Sequence, residues 1–214
     1  MMLALTFSTG IVDAVGYLGL DKVFTGNMTG NVVILGMALT GAEDLPVLGP
    51  VLALACFLLG AVAGGRVMRA AGKGWTIHAS WLFAAVGTIL AILSFVTLVA
   101  GPVGKTPLGV GIAATIGAAM GLQASGARHI GIKDVTTVVV TSTLTALAAE
   151  SRLAGGRGQP WFRRASAVVI ILAGAACGAF LLHIHMSLAL LLAAAISLSV
   201  SAVGHRWLRS QARA

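Results

Sequence analysis

Asp21-Lys22-Val23-Phe24-Thr25-Gly26-Asn27-Met28-Thr29-Gly30-Asn31, followed by the apolar run Val32 to Leu39, is the stretch on which the architecture turns. Glycine and asparagine at this density disfavour a regular helix before about Thr29. An extended lead-in to a half-helix, with Thr29 or Asn31 as its N-cap, fits better. A half-helix that begins inside a membrane presents unpaired N–H groups and the positive end of its dipole to the interior, which suits an anionic or strongly polar ligand. The alternative is that these amides and hydroxyls only cap helices and bridge neighbours.

A membrane setting follows from composition. Of 214 residues, 58% are hydrophobic and 9% charged, whereas a soluble domain carries about 25% charged residues. Eight apolar stretches cover residues 2–20, 24–41, 47–68, 76–100, 107–127, 135–149, 165–183 and 186–204. The net charge of +8 is spread over the connections and lines no single face, so anionic lipid headgroups are expected as partners and nucleic acid is not. The first stretch has no basic flank, carries Asp13 in its middle and lacks a small-x-small cleavage site, so a retained span is expected there and not a signal peptide. Cys56 and Cys177 lie inside apolar runs without ligand spacing and read as small buried hydrophobes.

The second four stretches echo the first four. Gly10-Ile11 matches Gly121-Leu122, Lys22 matches Lys133, Thr29-Gly30-Asn31 matches Thr141-Ser142-Thr143, and Gly60 and Gly64 match Gly174 and Gly178, at an offset of 111 to 114. The loop charges then choose the topology, because short Lys- and Arg-rich loops stay cytoplasmic. Eight crossings would put the Arg66, Arg69, Lys73 loop opposite the Arg152, Arg157, Arg163, Arg164 loop. Six crossings, with the second and sixth stretches dipping in and returning, gather every strong basic cluster on one face with both termini. Lys22, Glu43, Asp44, Lys105 and the His183 to His185 turn fall on the other. The expected fold is all-α and membrane-embedded: six transmembrane helices and two re-entrant or broken half-helices. They form one integral domain, 1–214, built from inverted repeats at 1–103 and 104–214. At 15 to 18 residues the two dipping segments are also long enough for tilted spans.

Asp13 in mid-span costs about 2.5 to 3.5 kcal/mol on insertion scales. Thr6, Thr9, Gly10, Gly16 and Tyr17 share its helical face, so this polar, small-residue stripe is expected to face the interior. Asp13 then reads as a substrate contact and proton carrier, or else as a lock between helices. The second copy, Lys133 to Thr145, places Thr141, Ser142 and Thr143 near the equivalent spot, and Gln123 is a further cavity-lining candidate. The substrate-binding set expected from sequence is Asp13, Tyr17, Asn27, Thr29, Asn31, Gln123, Thr141 and Thr143. Gly60 and Gly64, Gly117 and Gly121, and Gly174 and Gly178 read as close-packing pairs, and Trp75, Trp161 and Trp207 as interfacial anchors. His183 and His185 stand two apart, pointing to different sides of a helix, so no metal is expected on them, and no cofactor elsewhere.

The segments Thr9-Gly10-Ile11-Val12-Asp13-Ala14-Val15-Gly16-Tyr17-Leu18, Val23 to Asn31, Met120-Gly121-Leu122-Gln123-Ala124 and Thr136-Thr137-Val138-Val139-Val140-Thr141 together resemble the YoaK-type family of bacterial integral membrane proteins, a domain-of-unknown-function family. The resemblance implies a multi-helix plasma-membrane protein and no established substrate. Expected, accordingly, is a small-solute secondary transporter or exporter of the bacterial inner membrane, with N- and C-termini cytoplasmic. Its partners would be the lipid bilayer, an unidentified small solute and a further copy of the chain. The competing reading is a non-transporting scaffold or assembly protein, which predicts a dry interior without a polar cavity. An enzyme is not expected, because the spans carry no nucleophile and base pair, no HExxH and no carboxylate pair.

Overall fold

The computed structural model describes residues 1–42, 44–72, 74–130, 140–150, 154–155 and 161–211, without the side chains of Trp161, Arg163 and Arg164. Glu43, Lys73, Lys133, Arg152, Arg157, Arg213, the stretch Thr136 to Val139 and the side-chain expectations for those three residues lie outside the described residues. Among the described residues eight helices follow one another: α1 (Met2–Ala14, continued by a π-helical turn Val15–Gly19), α2 (Met28–Leu39), α3 (Leu48–Arg69), α4 (Ile77–Ala100), α5 (Pro107–Ile130), α6 (Val140–Ala149), α7 (Trp161–Ile184) and α8 (Met186–Gln211). Six are long and apolar enough to cross a membrane, and α2 and α6 are the short ones. At 1.5 Å per residue, the 12 residues of α2 extend about 18 Å, against a hydrocarbon core about 30 Å thick.

The bundle is organised by close helix pairs. α3 packs on α5, α1 on α7, and α4 on α8, with α4 also touching α5 and α1 also touching α8. α2 lies beside α3, and α6 beside α7. The apolar core, including Leu5, Ile11, Phe83, Leu90, Ile112, Ile116 and Leu190, sits among α1, α4, α5 and α8. Serines tie this core together: Ser94 Oγ donates to Ser187 O at 2.7 Å and Ser201 Oγ to Ser80 O at 2.6 Å, both between α4 and α8. Such bonds give an interface without a hydrophobic driving force its attraction and register.

Glycine sets the approach of the other two pairs, and the contacts are matched. A Cβ on Gly60 would overlap the Ala118 carbonyl oxygen, and a Cβ on Gly174 would overlap that of Phe7. One on Gly121 would overlap Phe57 O and stand 2.8 Å from Ala61 N; one on Gly10 would overlap Ile171 O and stand 2.7 Å from Ala175 N. Residues of α3 map onto those of α7 by adding 114, and residues of α1 onto those of α5 by adding 111, contact by contact. The glycines expected as packing pairs therefore sit where helix backbones touch.

Loop contacts define the two ends. Lys22 Nζ donates to Asp44 O at 3.0 Å, and Lys105 Nζ lies 3.7 Å from Asp21 Oδ1. The chain thus leaves α1 and leaves α2 at the same end of the bundle, where α4 also ends. His129 Nε2 lies 3.3 Å from Gly72 O, which joins the end of α5 to the α3–α4 connection at the other end. Trp75, in the α3–α4 connection, is half-buried: its ring stacks on Phe83 with centroids 5.4 Å apart, its Nε1 donates to Ser80 Oγ at 2.9 Å, and it covers Gly204. His185 Nδ1 accepts from Ser187 N at 3.1 Å and so caps α8.

Candidate functional site

The site is built where the chain doubles back after α1. Asp21 and Lys22 adopt positive φ of 62° and 57°, a left-handed pair that turns the chain sharply. The extended segment from Val23 then runs back along the end of α1, and Val23 N donates to Gly16 O at 3.2 Å. Gly16 permits that approach, since a Cβ there would overlap Val23 O. Thr25 Oγ1 donates to Val12 O at 2.9 Å and pins the segment one turn deeper.

The deepest point is held by Asp13. Its Oδ1 accepts from three successive backbone N–H groups: Thr25 at 3.0 Å, Gly26 at 2.7 Å and Asn27 at 3.2 Å. Three converging N–H dipoles make a concavity that suits an anion, and here the chain supplies its own. Asn31 secures the other side, accepting from Phe24 N at 2.8 Å and donating to Phe24 O at 2.6 Å, much as a neighbouring strand would. The N-cap of α2 is Asn27, whose side chain accepts from Gly30 N. This corrects the expectation of Thr29 or Asn31 as cap. Asn31 is committed to Phe24, and the turn at Asp13 delivers Asn27 first. It also narrows the expectation of free N–H groups at the half-helix start, because Asp13, Asn27 and Asn31 take those of residues 24 to 27 and 30 and leave those of Met28 and Thr29 in the first turn.

Beside this anchor lies a pocket of about 710 Å³, lined by Asp13, Tyr17, Phe24, Asn27, Thr29, Gly30, Val33, Ile34, Val140, Thr141 and Ile171. The described start of α6, Val140 and Thr141, thus opens onto the same space as the first turn of α2. Five of the eight residues expected from sequence meet there: Asp13, Tyr17, Asn27, Thr29 and Thr141. Three do not. Asn31 is fully buried in its bonds to Phe24. Gln123 is fully buried in the core, where Nε2 donates to Thr9 Oγ1 at 3.2 Å and Oε1 has no partner among the described residues. Thr143 is half-buried on α6, away from the lining. The residue that sequence reasoning passed over is Phe24, whose ring packs on Tyr17 with centroids 5.0 Å apart. Its one signal was an aromatic directly ahead of Thr25-Gly26-Asn27.

The model of a protein family of unknown function, DUF1275, matches residues 1–203. The UPF0700 transmembrane protein YoaK of Bacillus subtilis (strain 168) is 32% identical over 144 residues, which are 67% of this chain and 62% of that protein. The match therefore spans less than two thirds of the relative's length. No solved structure matches. With the family model covering nearly the whole chain and six helices apolar enough to span, this is a multi-pass membrane protein belonging to DUF1275.

Proposed function

We propose that the chain is a small-solute secondary transporter or exporter of the bacterial inner membrane, binding its solute in the pocket between α1, α2, α6 and α7. The observation that carries this reading is one cavity bordered by the first turns of both short helices and by a membrane-embedded carboxylate. A dry packing scaffold has no use for such a space, and broken helices pointing at a shared site are a recurrent plan in secondary transporters. Asp13 is the proton-coupling group, and Tyr17, Asn27, Thr29 and Thr141 contact the solute. Asn31, Gln123 and Thr143 support the site without touching the solute.

The halves 1–103 and 104–214 form an inverted repeat in this reading. Its support is the matched glycine contacts, which swap the α1–α7 and α3–α5 interfaces with each other. Three long helices per half give each half an odd number of crossings, so the halves run in opposite senses. The end bearing Arg66, Arg69, Arg128, Arg206 and Arg209 faces the cytoplasm and its anionic headgroups, with both termini on that side. The chain is not an enzyme in this reading and carries no cofactor.

Reconstitution into proteoliposomes tests it. Asp13→Asn keeps an oxygen for the three N–H donors and removes the titrating group. It should therefore abolish proton-coupled flux while leaving expression and monodispersity intact. Unchanged flux in that variant would take Asp13 out of the mechanism, and absence of flux for every solute class in the native protein would favour the scaffold.

A further inference from the structure

The chemistry of the lining goes further than the existence of a pocket, and this inference rests on the transport reading only for how the ligand gets there. Asp13 lines the cavity, yet all three of its backbone donors converge on Oδ1; among the described residues Oδ2 accepts no hydrogen bond. No lysine, arginine or histidine stands among the described residues that line the space. Of the N–H groups that would have drawn an anion, those of residues 24 to 27 and 30 are occupied by side chains of the protein itself, which leaves those of Met28 and Thr29 beside the Asp13 carboxylate. An anionic ligand would meet a carboxylate where it needed a donor.

The remaining wall is equally selective. Tyr17 and Phe24 present a tilted aromatic pair, 5.0 Å between centroids, on the same cavity as Asp13. Aromatic faces attract a desolvated cation through the ring quadrupole. Asn27, Thr29 and Thr141 supply neutral hydrogen-bonding groups, while Val33, Ile34, Val140 and Ile171 line the rest with hydrocarbon. A small metal ion would leave that apolar wall unused, since hard cations take six or more oxygen ligands. An alkyl body would cover it.

We infer that the pocket takes an organic ammonium ion, with the charged nitrogen at Asp13 Oδ2 against the Tyr17 and Phe24 rings and the alkyl part on Val33, Ile34 and Ile171. The chain contains a single tyrosine, Tyr17, so 3-fluorotyrosine incorporation gives one ¹⁹F resonance situated at the site. Butylammonium and tetraethylammonium, titrated into the labelled protein in detergent micelles, should shift that resonance saturably. Butyrate and 1-butanol at matched ionic strength should not. Asp13→Asn should leave the ligand-free resonance in place and weaken ammonium binding by at least about tenfold. Should that variant lose its native resonance, Phe24→Leu provides the second arm, with an expected weakening of about threefold.

A saturable shift with butyrate, or ammonium binding indifferent to both substitutions, overturns the inference. The two readings fail separately. Ammonium bound at Asp13 but not carried across proteoliposomes refutes transport and leaves the ligand class standing. Carriage of butyrate in place of ammonium refutes the ligand class and leaves transport standing.

Discussion

Alanine at Gly60 and at Gly174 should damage the protein by the same amount. A Cβ on Gly60 overlaps Ala118 O and stands 2.8 Å from the carbonyl carbon and 3.0 Å from Cα; on Gly174 it overlaps Phe7 O and stands 2.9 Å and 3.1 Å from the same two atoms. Carbon atoms rest at about 3.5 to 4.0 Å, so each methyl must part its helix pair by roughly 1 Å. The obstruction is backbone, which cannot rotate aside. Overpacking of this kind costs about 1 to 3 kcal/mol, and the better helix propensity of alanine returns less than about 1 kcal/mol. A net loss of about 1 to 2 kcal/mol is expected at each site. Gly65→Ala in α3 and Gly111→Ala in α5 are the controls, since nothing lies within 4 Å of a Cβ at either position. Unfolding by sodium dodecyl sulfate in mixed micelles, followed by tryptophan fluorescence, reads the differences. A neutral Gly174→Ala beside a damaging Gly60→Ala would refute the equivalence of the two interfaces, and with it the repeat.

Asn31→Leu strands both backbone groups of Phe24; at about 1 to 3 kcal/mol for each unsatisfied buried group it should destabilise the protein by about 2 to 6 kcal/mol in the same unfolding assay, and a loss below about 1 kcal/mol would contradict the strand-like role of the side chain. Gln123→Leu, by contrast, removes an unpartnered Oε1 while Thr9 keeps its 2.9 Å bond to Leu5 O, so stability should hold or rise by up to about 1 kcal/mol. A marked drop there would reveal a partner for Gln123. Losing one serine tie by Ser94→Ala or Ser201→Ala should cost about 0.6 kcal/mol, and both together about twice that, with non-additivity showing that the two ends of the α4–α8 pair are coupled. Lys22→Cys and Asp44→Cys should react with an impermeant maleimide from one and the same side of sealed vesicles, and Arg66→Cys from the other; labelling of the first two from opposite sides would make α2 a crossing helix.

How far the fold was legible depended on which physical force wrote each feature. Among the described residues each of the eight apolar stretches reappears as a helix because the contrast between hydrocarbon and water is strong and local. Even the short α2 and α6 were marked by Gly-Asn and Thr-Ser-Thr leads and by loop charge. Membership of the Asp13 face was legible through helical spacing, which is why Asp13 and Tyr17 both reach the pocket. The roles within that face were not. Whether Thr29 or Asn27 caps α2, and whether Asn31 meets solute or Phe24, depends on how the chain returns from Asp21-Lys22, a tertiary event with a weak local signal. Gln123 misled for a related reason: a polar residue in a span can point to a cavity or to a buried hydroxyl, and the neighbouring helix decides.

The pocket also bears on where the internal echo in the sequence breaks down. Thr29 and Thr141, which the internal echo pairs with each other, both line it, while its other walls come from the end of α1 and from α7 and not from α5 and α3, their counterparts in the echo. Its chemistry, however, is one-sided. The offset of 111 pairs Asp13 with Ala124 and Tyr17 with Arg128. The carboxylate that holds the turn before α2 thus has an alanine, Ala124, as its counterpart in the echo. A pair of carboxylates would repel each other and double the insertion cost of about 2.5 to 3.5 kcal/mol each. Under the proposed transport reading, a single acid at the pocket binds one charge at a time, which is the stoichiometry an exchange of solute against proton needs.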